Sequence, residues 1–303
     1  MPRFHLLSLP TRLRRRVRRN RLAMQLLLLA VLLAVVVPLF SLYCVYRPPR
    51  FLMTYLRRKF PDVLFELPPP PTPLSTSLSS STDGSAAAAP REKLIALSLD
   101  DAPSAHTDEI MRILAANDAH ATFFVIGSQA LAPQRAPLLR ALVAQGHELA
   151  NHAMHDEPSA ALPDAALLAQ LDQVKGIIAA AYEAEHRVLP NNYFRPGSGL
   201  FTRRMRDLLG NRGFRIVLGS VYPHDAQLRW PRLNARHVLG MAREGAIVVC
   251  HDRRAWTPDM LRLVLPELRR RGFRVVTITE LVKSIEHFPL EDQGRDGAAA
   301  AMP

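Results

Sequence analysis

The chain has 303 residues, with 39 Lys and Arg against 27 Asp and Glu, and 48% of its residues are hydrophobic. This composition excludes a disordered or collagen-like protein. The net charge of +12 is concentrated at the start, because residues 1–66 contain 13 basic and 2 acidic residues, whereas residues 67–303 contain 26 and 25. The nearly neutral remainder argues against nucleic acid as a partner, since that function needs a basic surface on the folded domain.

The N-terminal segment has the pattern of a membrane anchor. Eight basic residues precede Leu22, and an apolar run follows from Leu22 to Tyr46. About 20 apolar residues cross a bilayer, whereas the apolar core of a cleaved signal peptide has about 7–15. The run therefore favours a retained transmembrane signal-anchor at residues 22–46 over a cleaved signal peptide. The basic tail at residues 1–21 predicts a cytoplasmic N-terminus, with the rest of a type II protein luminal or extracellular.

Two further segments lead from the anchor to a folded domain. Residues 47–66 mix aromatic, aliphatic and basic side chains. They predict either a helix along the membrane surface or a juxtamembrane stem helix that packs on the domain. Residues 67–90 are rich in Pro, Ser and Ala and predict a flexible linker, while the Gly/Ala-rich residues 288–303 predict a disordered tail. The folded domain is therefore expected at residues 91–287.

Short β-rich runs alternate with helical patterns through this domain. Such alternation predicts an α/β fold in which helices cover a parallel sheet, either open or closed into a barrel. Cys44 lies in the anchor and Cys250 in the domain, so no disulfide inside the domain is expected and its core must stabilise it. The predicted strands are 94–99, 121–126, 148–149, 193–195, 214–218, 246–250 and 273–278, and the predicted helices are 108–117, one ending at 145, 164–182, 203–209 and 260–270.

Ionisable residues follow most of these predicted strands. In folds with parallel strands, catalytic groups collect at the carboxyl ends of the strands. The sequence therefore predicts a catalytic site at one edge of the sheet. The residues at this edge are Asp100-Asp101, Asn151-His152, Arg195, His224-Asp225 and His251-Asp252.

A cluster of imidazoles and carboxylates predicts a divalent metal site. His147, His152, His155 and Asp156 are close in sequence. In a helical turn, His152 would share a face with either His155 or Asp156. Imidazole and carboxylate ligands suit zinc or a similar ion, which would activate water and polarise a carbonyl. His147 is expected to be hydrogen-bonded scaffolding.

Two alternative interpretations concern single motifs. Asp101 precedes a predicted helix, where it would be an N-cap rather than a metal ligand. Cys250-His251-Asp252 contains a nucleophile, a base and an acid, but neighbouring side chains in a strand point to opposite faces and do not converge. A water nucleophile fits the sequence better.

Several motifs resemble, in order and spacing, those of polysaccharide deacetylases, the NodB-homology group that includes chitin and peptidoglycan deacetylases. The resemblance covers about residues 91–287 and implies a distorted (β/α) barrel that removes acetyl groups from N-acetylated sugars with the help of a metal. Ser98-Leu-Asp-Asp-Ala-Pro103 resembles the family motif T-F-D-D-G-P, and Gly146-His-Glu-Leu-Ala-Asn-His152 resembles the run that leads into the second motif. Phe194-Arg-Pro-Gly-Ser-Gly199 resembles R-P-P-x-G, and Val248-Val-Cys-His251 resembles the final motif, hydrophobic-x-His.

The resemblance also implies the catalytic roles. Asp100 would be the general base on a water held by the metal, and Arg195 would orient Asp100. His251, oriented by Asp225, would protonate the leaving amine. The backbone N–H of Ser198 would help to hold the oxyanion.

The implied metal ligands are Asp101, His152 and a third residue that departs from the family pattern. The family usually has H-x-x-x-H, but the fourth residue after His152 is Asp156, and His155 comes one place early. We favour Asp156 because it keeps the i, i+4 spacing. Zinc is the expected metal, with cobalt or another divalent ion as alternatives.

Two other departures lie in the first and fourth motifs. Ala102 replaces the Gly of the first motif and adds a methyl group beside the metal, and Val221-Tyr-Pro-His-Asp-Ala226 lacks the usual Trp of the fourth motif, which bears on the acetyl pocket and so on the substrate. Together with Asp156-Glu-Pro-Ser, these features resemble a divergent fungal, membrane-linked branch. The sequence predicts an anchored hydrolase that deacetylates N-acetylglucosamine-containing polysaccharide, either chitin-like or cell-wall glycan. The alternatives are hydrolysis of another non-peptide C–N bond and a catalytically silent carbohydrate-binding barrel. The sequence predicts no oligomeric state.

Overall fold

The computed structural model describes residues 11–68 and 92–286, and it divides the chain into one compact unit that ends at Pro49 and another that begins at Arg50. In the first unit, helix α1 spans Thr11–Tyr46. Its segment Asn20–Tyr46 has a mean hydropathy of 2.8 and is long and apolar enough to cross a membrane. The first ten residues, most of the predicted linker and the predicted tail lie outside the described residues.

The second unit is built from short parallel strands and the helices that connect them. Its helices are α2 (Arg50–Lys59), α3 (Thr107–Ala116), α4 (Gly127–Ala130), α5 (Ala136–Ala144), α6 (Asp164–Ala184), α7 (Arg203–Gly210), α8 (Pro231–Met241), α9 (Thr257–Arg270) and α10 (Ile278–Glu286). Its strands are β1 (Lys93–Ala102), β2 (Thr122–Val125), β3 (Glu148–Asn151), β4 (Tyr193–Phe194), β5 (Arg215–Ile216), β6 (Ile247–His251) and β7 (Phe273–Val276).

These strands form one parallel sheet with the order β5-β4-β3-β2-β1-β6. β7 pairs with the first part of β1, from Lys93 to Ala96, and β6 pairs with the part from Ala96 to Asp100. The sheet curls into a partial barrel with helices outside it. The predicted α/β fold, a distorted (β/α) barrel of parallel strands, is confirmed.

The chain that follows α2 enters the barrel. Leu64 forms a parallel bridge with Val217, just after β5. The Leu67 amide donates a 2.8 Å hydrogen bond to the Gly245 carbonyl, just before β6. Gly245 has φ +79°, and a Cβ there would lie 2.3 Å from the Leu67 oxygen, so this close approach requires glycine. Residues 63–67 therefore fill the gap between the two edges of the sheet.

Alternation along β1 assigns its side chains to two faces. Leu97 and Leu99 belong to a large apolar cluster shared with the outer helices. Ala96 belongs to a smaller cluster with residues of neighbouring strands, among them Phe124, which is fully buried. Burial of a side chain of that size stabilises the fold by about 2 kcal/mol. Asp100 has the same parity as Ala96, so it lies on the inner face.

The structure differs from the sequence prediction in several elements. α8 and α10 were not predicted, and the predicted strand 273–278 ends at Val276. The buried side of α8 contains Asn234 and His237, so polar residues interrupt the apolar periodicity that would have revealed it. The helix predicted to end at residue 145 is divided into α4 and α5, and β1 continues beyond its predicted end.

Candidate active site

Most of the predicted site residues meet in a single cleft at the carboxyl ends of the strands. The cleft has a volume of about 630 Å³. β1, β3, β4 and β6 end around it, so each contributes residues from its last positions or from the loop that follows. The lining includes Asp100, Asp101, His152, Asp156, Arg195, Ser198 and His251.

Asp100 is fixed by Arg195, which follows β4. Arg195 Nη1 donates to Asp100 Oδ1 at 2.5 Å and to Ser98 Oγ at 2.9 Å. Its Nε donates to the Val217 carbonyl at 3.0 Å. The guanidinium group also lies 3.9 Å from the centre of the Phe124 ring, which adds a cation–π contact. The positions of both charged groups are therefore set by buried contacts.

This pairing determines the charge of Asp100. Burial by itself would raise the pKa of the carboxyl. The positive charge of Arg195, followed by the interactions with His152 and His251 and the Arg195 hydrogen bond, together outweigh burial and bring the pKa of Asp100 below its ordinary value. Asp100 is therefore an ionised carboxylate at neutral pH and is able to accept a proton.

Three donor groups beside Asp100 could hold a cation. Ligand atoms of Asp101, His152 and Asp156 all lie within 4.8 Å of one another. His152 Nδ1 is 2.7 Å from the Arg195 carbonyl oxygen, so Nδ1 carries the proton. The lone pair of Nε2, which is 3.8 Å from Asp101 Oδ1, remains available.

The local geometry that brings Asp156 here is not a helical turn. Residues 152–158 form an irregular loop in which Ala153 has φ 63°, so our expectation of a helical i, i+4 pair is wrong. The Oδ1 atom of Asn151 accepts a 2.9 Å hydrogen bond from the Ala153 backbone N–H, which stabilises this bend. The loop nevertheless groups Asp156 with His152, and it leaves His155 exposed outside the group.

The donor set fits a divalent cation. Asp101 Oδ2 is buried and accepts no hydrogen bond from the described residues. Burial, together with the charges of Asp156 and Asp100, raises the pKa of Asp101 against the opposing effect of His251 and His152. A cation would offset this accumulation of negative charge. Two carboxylates and one imidazole suit zinc, and three protein ligands leave a coordination position open.

His251 and Asp225 form a second buried pair, at the end of β6. His251 Nδ1 is 2.9 Å from Asp225 Oδ1, and the His251 amide donates to Oδ2 at 2.8 Å. Burial lowers the pKa of His251, but the hydrogen bond and charge of Asp225, with smaller contributions from Asp100 and Asp101, raise it above the ordinary value. His251 is therefore suited to hold a proton and to donate it.

Comparison with known proteins identifies the family. The family model for polysaccharide deacetylase matches residues 87–217. A peptidoglycan-N-acetylglucosamine deacetylase of Bacillus cereus is 31% identical over 199 residues, which are 63% of this chain and 89% of that protein. The chain belongs to the polysaccharide deacetylase family.

Other members of this family agree in sequence and in structure. A chitooligosaccharide deacetylase of Sinorhizobium fredii is 32% identical over 203 residues, covering 61% of this chain and 89% of that protein. The structure of the peptidoglycan deacetylase PdaC from Bacillus subtilis is 26% identical, with a TM-score of 0.58, covering 65% of this chain and 93% of that one. The predicted family and the predicted enzyme class, a carbohydrate N-deacetylase, are confirmed.

Two arginines at the site of this family member were missed from the sequence. Arg253 Nη2 is 3.2 Å from Asp156 Oδ2 and 3.8 Å from Asp101 Oδ2, while Arg254 Nη2 is 3.7 Å from Asp101 Oδ2. Both arginines follow His251 almost directly. The signal in the sequence is their place directly after His251-Asp252, at the end of a predicted strand.

Tyr222 was also missed, although it belongs to the divergent fourth motif. Its ring lines the cleft and packs edge-on against His251, with centroids 5.8 Å apart. Trp256 donates from its indole N–H to the Asp225 carbonyl at 2.8 Å. His224, which was predicted at this edge, packs against Tyr222 and His237 and does not line the cleft.

The two alternative interpretations of single motifs are wrong. Cys250 is buried, and burial raises the pKa of its thiol well above the ordinary value. The Asp252 carboxylate accepts from the Thr107 hydroxyl at 2.6 Å, so it does not orient His251. α3 begins at Thr107, several residues after Asp101, so Asp101 is not its N-cap.

Proposed function

We propose that the protein is a metal-dependent hydrolase that removes acetyl groups from N-acetylglucosamine-containing polysaccharide, either chitin-like or cell-wall glycan. One observation carries the proposal: an ionised carboxylate, a three-donor cation site and a histidine with a raised pKa share one cleft. The Bacillus cereus relative is named a peptidoglycan-N-acetylglucosamine deacetylase and the Sinorhizobium fredii relative a chitooligosaccharide deacetylase, which supports this choice of substrate.

The proton-transfer groups match the needs of amide hydrolysis. Water attacks the acetyl carbonyl, and Asp100, kept ionised by Arg195, accepts a proton from that water. The amine leaves with its bonding electron pair, and His251 donates the proton that completes it. Asp225 stabilises the charged imidazole before the transfer and keeps its ring oriented. Acetate and a free amino sugar are the products.

The remaining groups would act on the carbonyl oxygen. A divalent cation held by Asp101, His152 and Asp156 would supply Lewis-acid activation of the water and of the acetyl oxygen. Ser198 lines the same cleft, with φ 61°, and we assign its backbone N–H to the developing oxyanion. The Ser198 N–H would stabilise the negative charge that develops on the acetyl oxygen, which the cation would polarise.

The proposed location is the outer or luminal side of a membrane. The candidate span in α1 and the basic residues before Leu22 support a single-pass type II protein, with residues 1–21 cytoplasmic and residues 22–46 as the anchor. Residues 67–90 would link the anchor and its stem to the domain at 91–287, with residues 63–67 completing the barrel. Secretion after signal cleavage is the alternative.

The test is acetate release by the full chain in detergent. The substrates are chitin oligomers and peptidoglycan fragments, with Zn²⁺, Co²⁺ or a chelator. We expect metal-dependent release that Asp101→Asn abolishes and that Asp172→Asn, an exposed carboxylate on α6, leaves unchanged. A fragment starting at residue 91 is unsuitable because it lacks residues 63–67 of the barrel.

Three results would contradict the proposal. Glycan binding by the wild-type chain without acetate release under any metal would indicate a silent carbohydrate-binding barrel. Hydrolysis of a different C–N substrate, with N-acetylated glycans untouched, would favour the second alternative. Full activity in the presence of chelator would remove the metal from the proposal.

A further inference from the structure

Helix α2 has two faces with different chemistry. Met53 is buried, and Leu56 and Phe60 pack with it into the apolar cluster that contains Ala153 and Phe194, the chain neighbours of His152 and Arg195. The opposite side is exposed. We call it the α2 outer face, and it consists of Arg50, Phe51, Thr54, Tyr55, Arg58 and Lys59.

The α2 outer face combines solvent-exposed aromatic rings with positive charge. Phe51 is 65% exposed and Tyr55 is 54% exposed, and they lie one helical turn apart, so the two rings form one exposed apolar patch. No acidic residue occurs from Arg47 to Lys59. Aromatic rings between basic residues on one stripe of a helix are typical of helices that lie in the headgroup region of a membrane.

The position of α2 in the sequence supports the same partner. Only three residues, Arg47, Pro48 and Pro49, separate it from the end of α1. Three residues reach at most about 10 Å, so in an anchored chain α2 begins close to the membrane boundary. Basic residues near an anionic surface are attracted to it, and this attraction adds to burial of the rings.

We propose that the α2 outer face binds the surface of the membrane, with anionic phospholipid headgroups as its ligand, while the inner face holds the catalytic domain. This inference rests on the proposed anchor. Phe60, directly after α2, packs edge-on against Phe201 with ring centroids 5.1 Å apart. Phe201 follows Ser198 and Gly199 in the loop that lines the cleft. Docking of α2 therefore ties one rim of the cleft to the membrane and directs the enzyme to glycan close to the bilayer.

The experiment places a nitroxide on the α2 outer face of the full chain in nanodiscs. Thr54→Cys, made in a Cys44→Ser background, carries the label between Phe51 and Tyr55 without removing either ring. Val36→Cys in α1 reports the bilayer interior, and Val188→Cys, which is 89% exposed, reports water. Collisions of each label with a water-soluble nickel complex and with oxygen give its depth, in phosphatidylcholine with and without phosphatidylglycerol.

We expect the label at position 54 to meet the nickel complex several-fold less often than the label at 188, and to be shielded more strongly with phosphatidylglycerol. The double change Arg58→Glu/Lys59→Glu should return position 54 to the accessibility of 188. Activity on a soluble chitin oligomer, measured in the same samples, reports the catalytic site separately.

The outcomes separate the anchor from the docking face. A label at 36 that is open to the nickel complex would show that α1 does not span, and the inference would fail with the anchor. The label at 36 could be shielded from the nickel complex while the label at 54 is as accessible to it as the label at 188 in both lipids. That result would leave the anchor in place and overturn only the docking of the α2 outer face. Dipolar broadening between labels at 54 on different chains would show that a second copy, not lipid, covers this face.

Discussion

Two buried carboxylates lie toward opposite ends of the parallel sheet and are held in different ways. Asp100 is near the carboxyl end of β1, and Glu148 is the first residue of β3; they are 5% and 3% exposed. Asp100 is paired with the guanidinium group of Arg195. The hydrogen bonds described for Glu148 come from uncharged donors, namely the Thr122 hydroxyl at 2.6 Å, the Asn191 amide at 2.8 Å and the hydroxyl and backbone N–H of Thr279.

The difference in partners reverses the effect on charge. Burial raises the pKa of both carboxyls, but for Asp100 the charge and hydrogen bond of Arg195, together with the interactions with His152 and His251, outweigh burial and the pKa is lowered. For Glu148 the hydrogen bonds from hydroxyl and amide groups only reduce the effect, and the pKa stays raised. Burial alone therefore does not make a catalytic base. A buried carboxylate remains ionised where a buried cation compensates it.

The largest expected effect comes from removing the charge of Asp100. Asp100→Asn cannot accept a proton, so we expect kcat/KM for acetate release to fall by about 10³-fold. The variant should also lose about 3 kcal/mol of unfolding free energy, because Arg195 would be left buried without its partner. Activity is to be measured on chain shown to be folded and metal-loaded, with Asp172→Asn as the control. Residual activity above a tenth of wild type would reject Asp100 as the base.

Substitutions at the opposite end of the sheet should lower the free energy of unfolding and leave kcat/KM unchanged. Glu148→Ala leaves the Thr122, Asn191 and Thr279 donors unpaired, and we expect it to cost about 2–3 kcal/mol of unfolding free energy. Glu148→Gln keeps the shape and one acceptor oxygen, but its NH2 group faces the donors of the other oxygen, so we expect a smaller loss of about 1–2 kcal/mol. Urea unfolding in detergent measures both. A loss in Gln equal to that in Ala would mean that a retained acceptor oxygen contributes no stability at this position.

The comparison also separates what the sequence could predict from what it could not. Asp100, Arg195 and His251 were predictable because each directly follows or ends a strand with a clear β pattern. Parallel strands bring such positions to the same edge of the sheet whatever the loops between them do. The helix-based argument for Asp156 reached a residue that the structure does group with His152, although the loop geometry behind it is different.

The features that could not be predicted from the sequence depend on contacts between distant segments of the chain. Glu148 and Thr279 are 131 positions apart, so no local pattern indicates that this glutamate is buried. Residues 63–67 are too few to show strand periodicity, and their place in the barrel depends on β5 and β6, far along the chain. The salt bridge from Arg253 to Asp156 joins two loops, whose courses are not determined by local propensity.

The two ends of the sheet also hold histidines whose pKa values are shifted in opposite directions. His251 has Asp225 as a partner and a raised pKa, whereas burial, and then repulsion by His120, lowers the pKa of His147 to about 4. Because the folded pKa of His147 lies below its unfolded value of about 6.5, the unfolded chain binds more protons between these pH values. Stability linked to His147 is therefore complete above pH 6.5 and is lost as pH falls toward 4.

The slope of stability against pH tests this assignment. A single group changes unfolding free energy by at most about 1.4 kcal/mol per pH unit. We expect His147→Gln to reduce the loss measured by urea unfolding between neutral and mildly acidic pH, while His186→Gln, at an exposed turn, leaves the slope unchanged. An unchanged slope in His147→Gln would show that the ring is not kept neutral by the fold.

The smallest effect concerns how negative charge is balanced at the catalytic end. Arg253 Nη2 lies near both Asp156 Oδ2 and Asp101 Oδ2, so its positive charge partly neutralises two proposed ligands of the cation. A divalent ion binding there meets a like charge, but Arg253 is 44% exposed and solvent screens the repulsion. We expect Arg253→Gln to tighten zinc binding by up to about fivefold, since removing one partly screened charge is worth about 1 kcal/mol.

Zinc affinity, measured against a chromophoric chelator, tests this competition without any assay of activity. The gain should shrink when Arg253→Gln is made together with Asp156→Asn, because the carboxylate that draws the guanidinium group to the site is then absent. Arg236→Gln on the exposed side of α8 is the matched control. Weaker zinc binding in Arg253→Gln would give the arginine the opposite role, that of holding Asp156 in position for the metal. The catalytic end would then use its cations to orient ligands as well as to balance charge, as Arg195 does for Asp100.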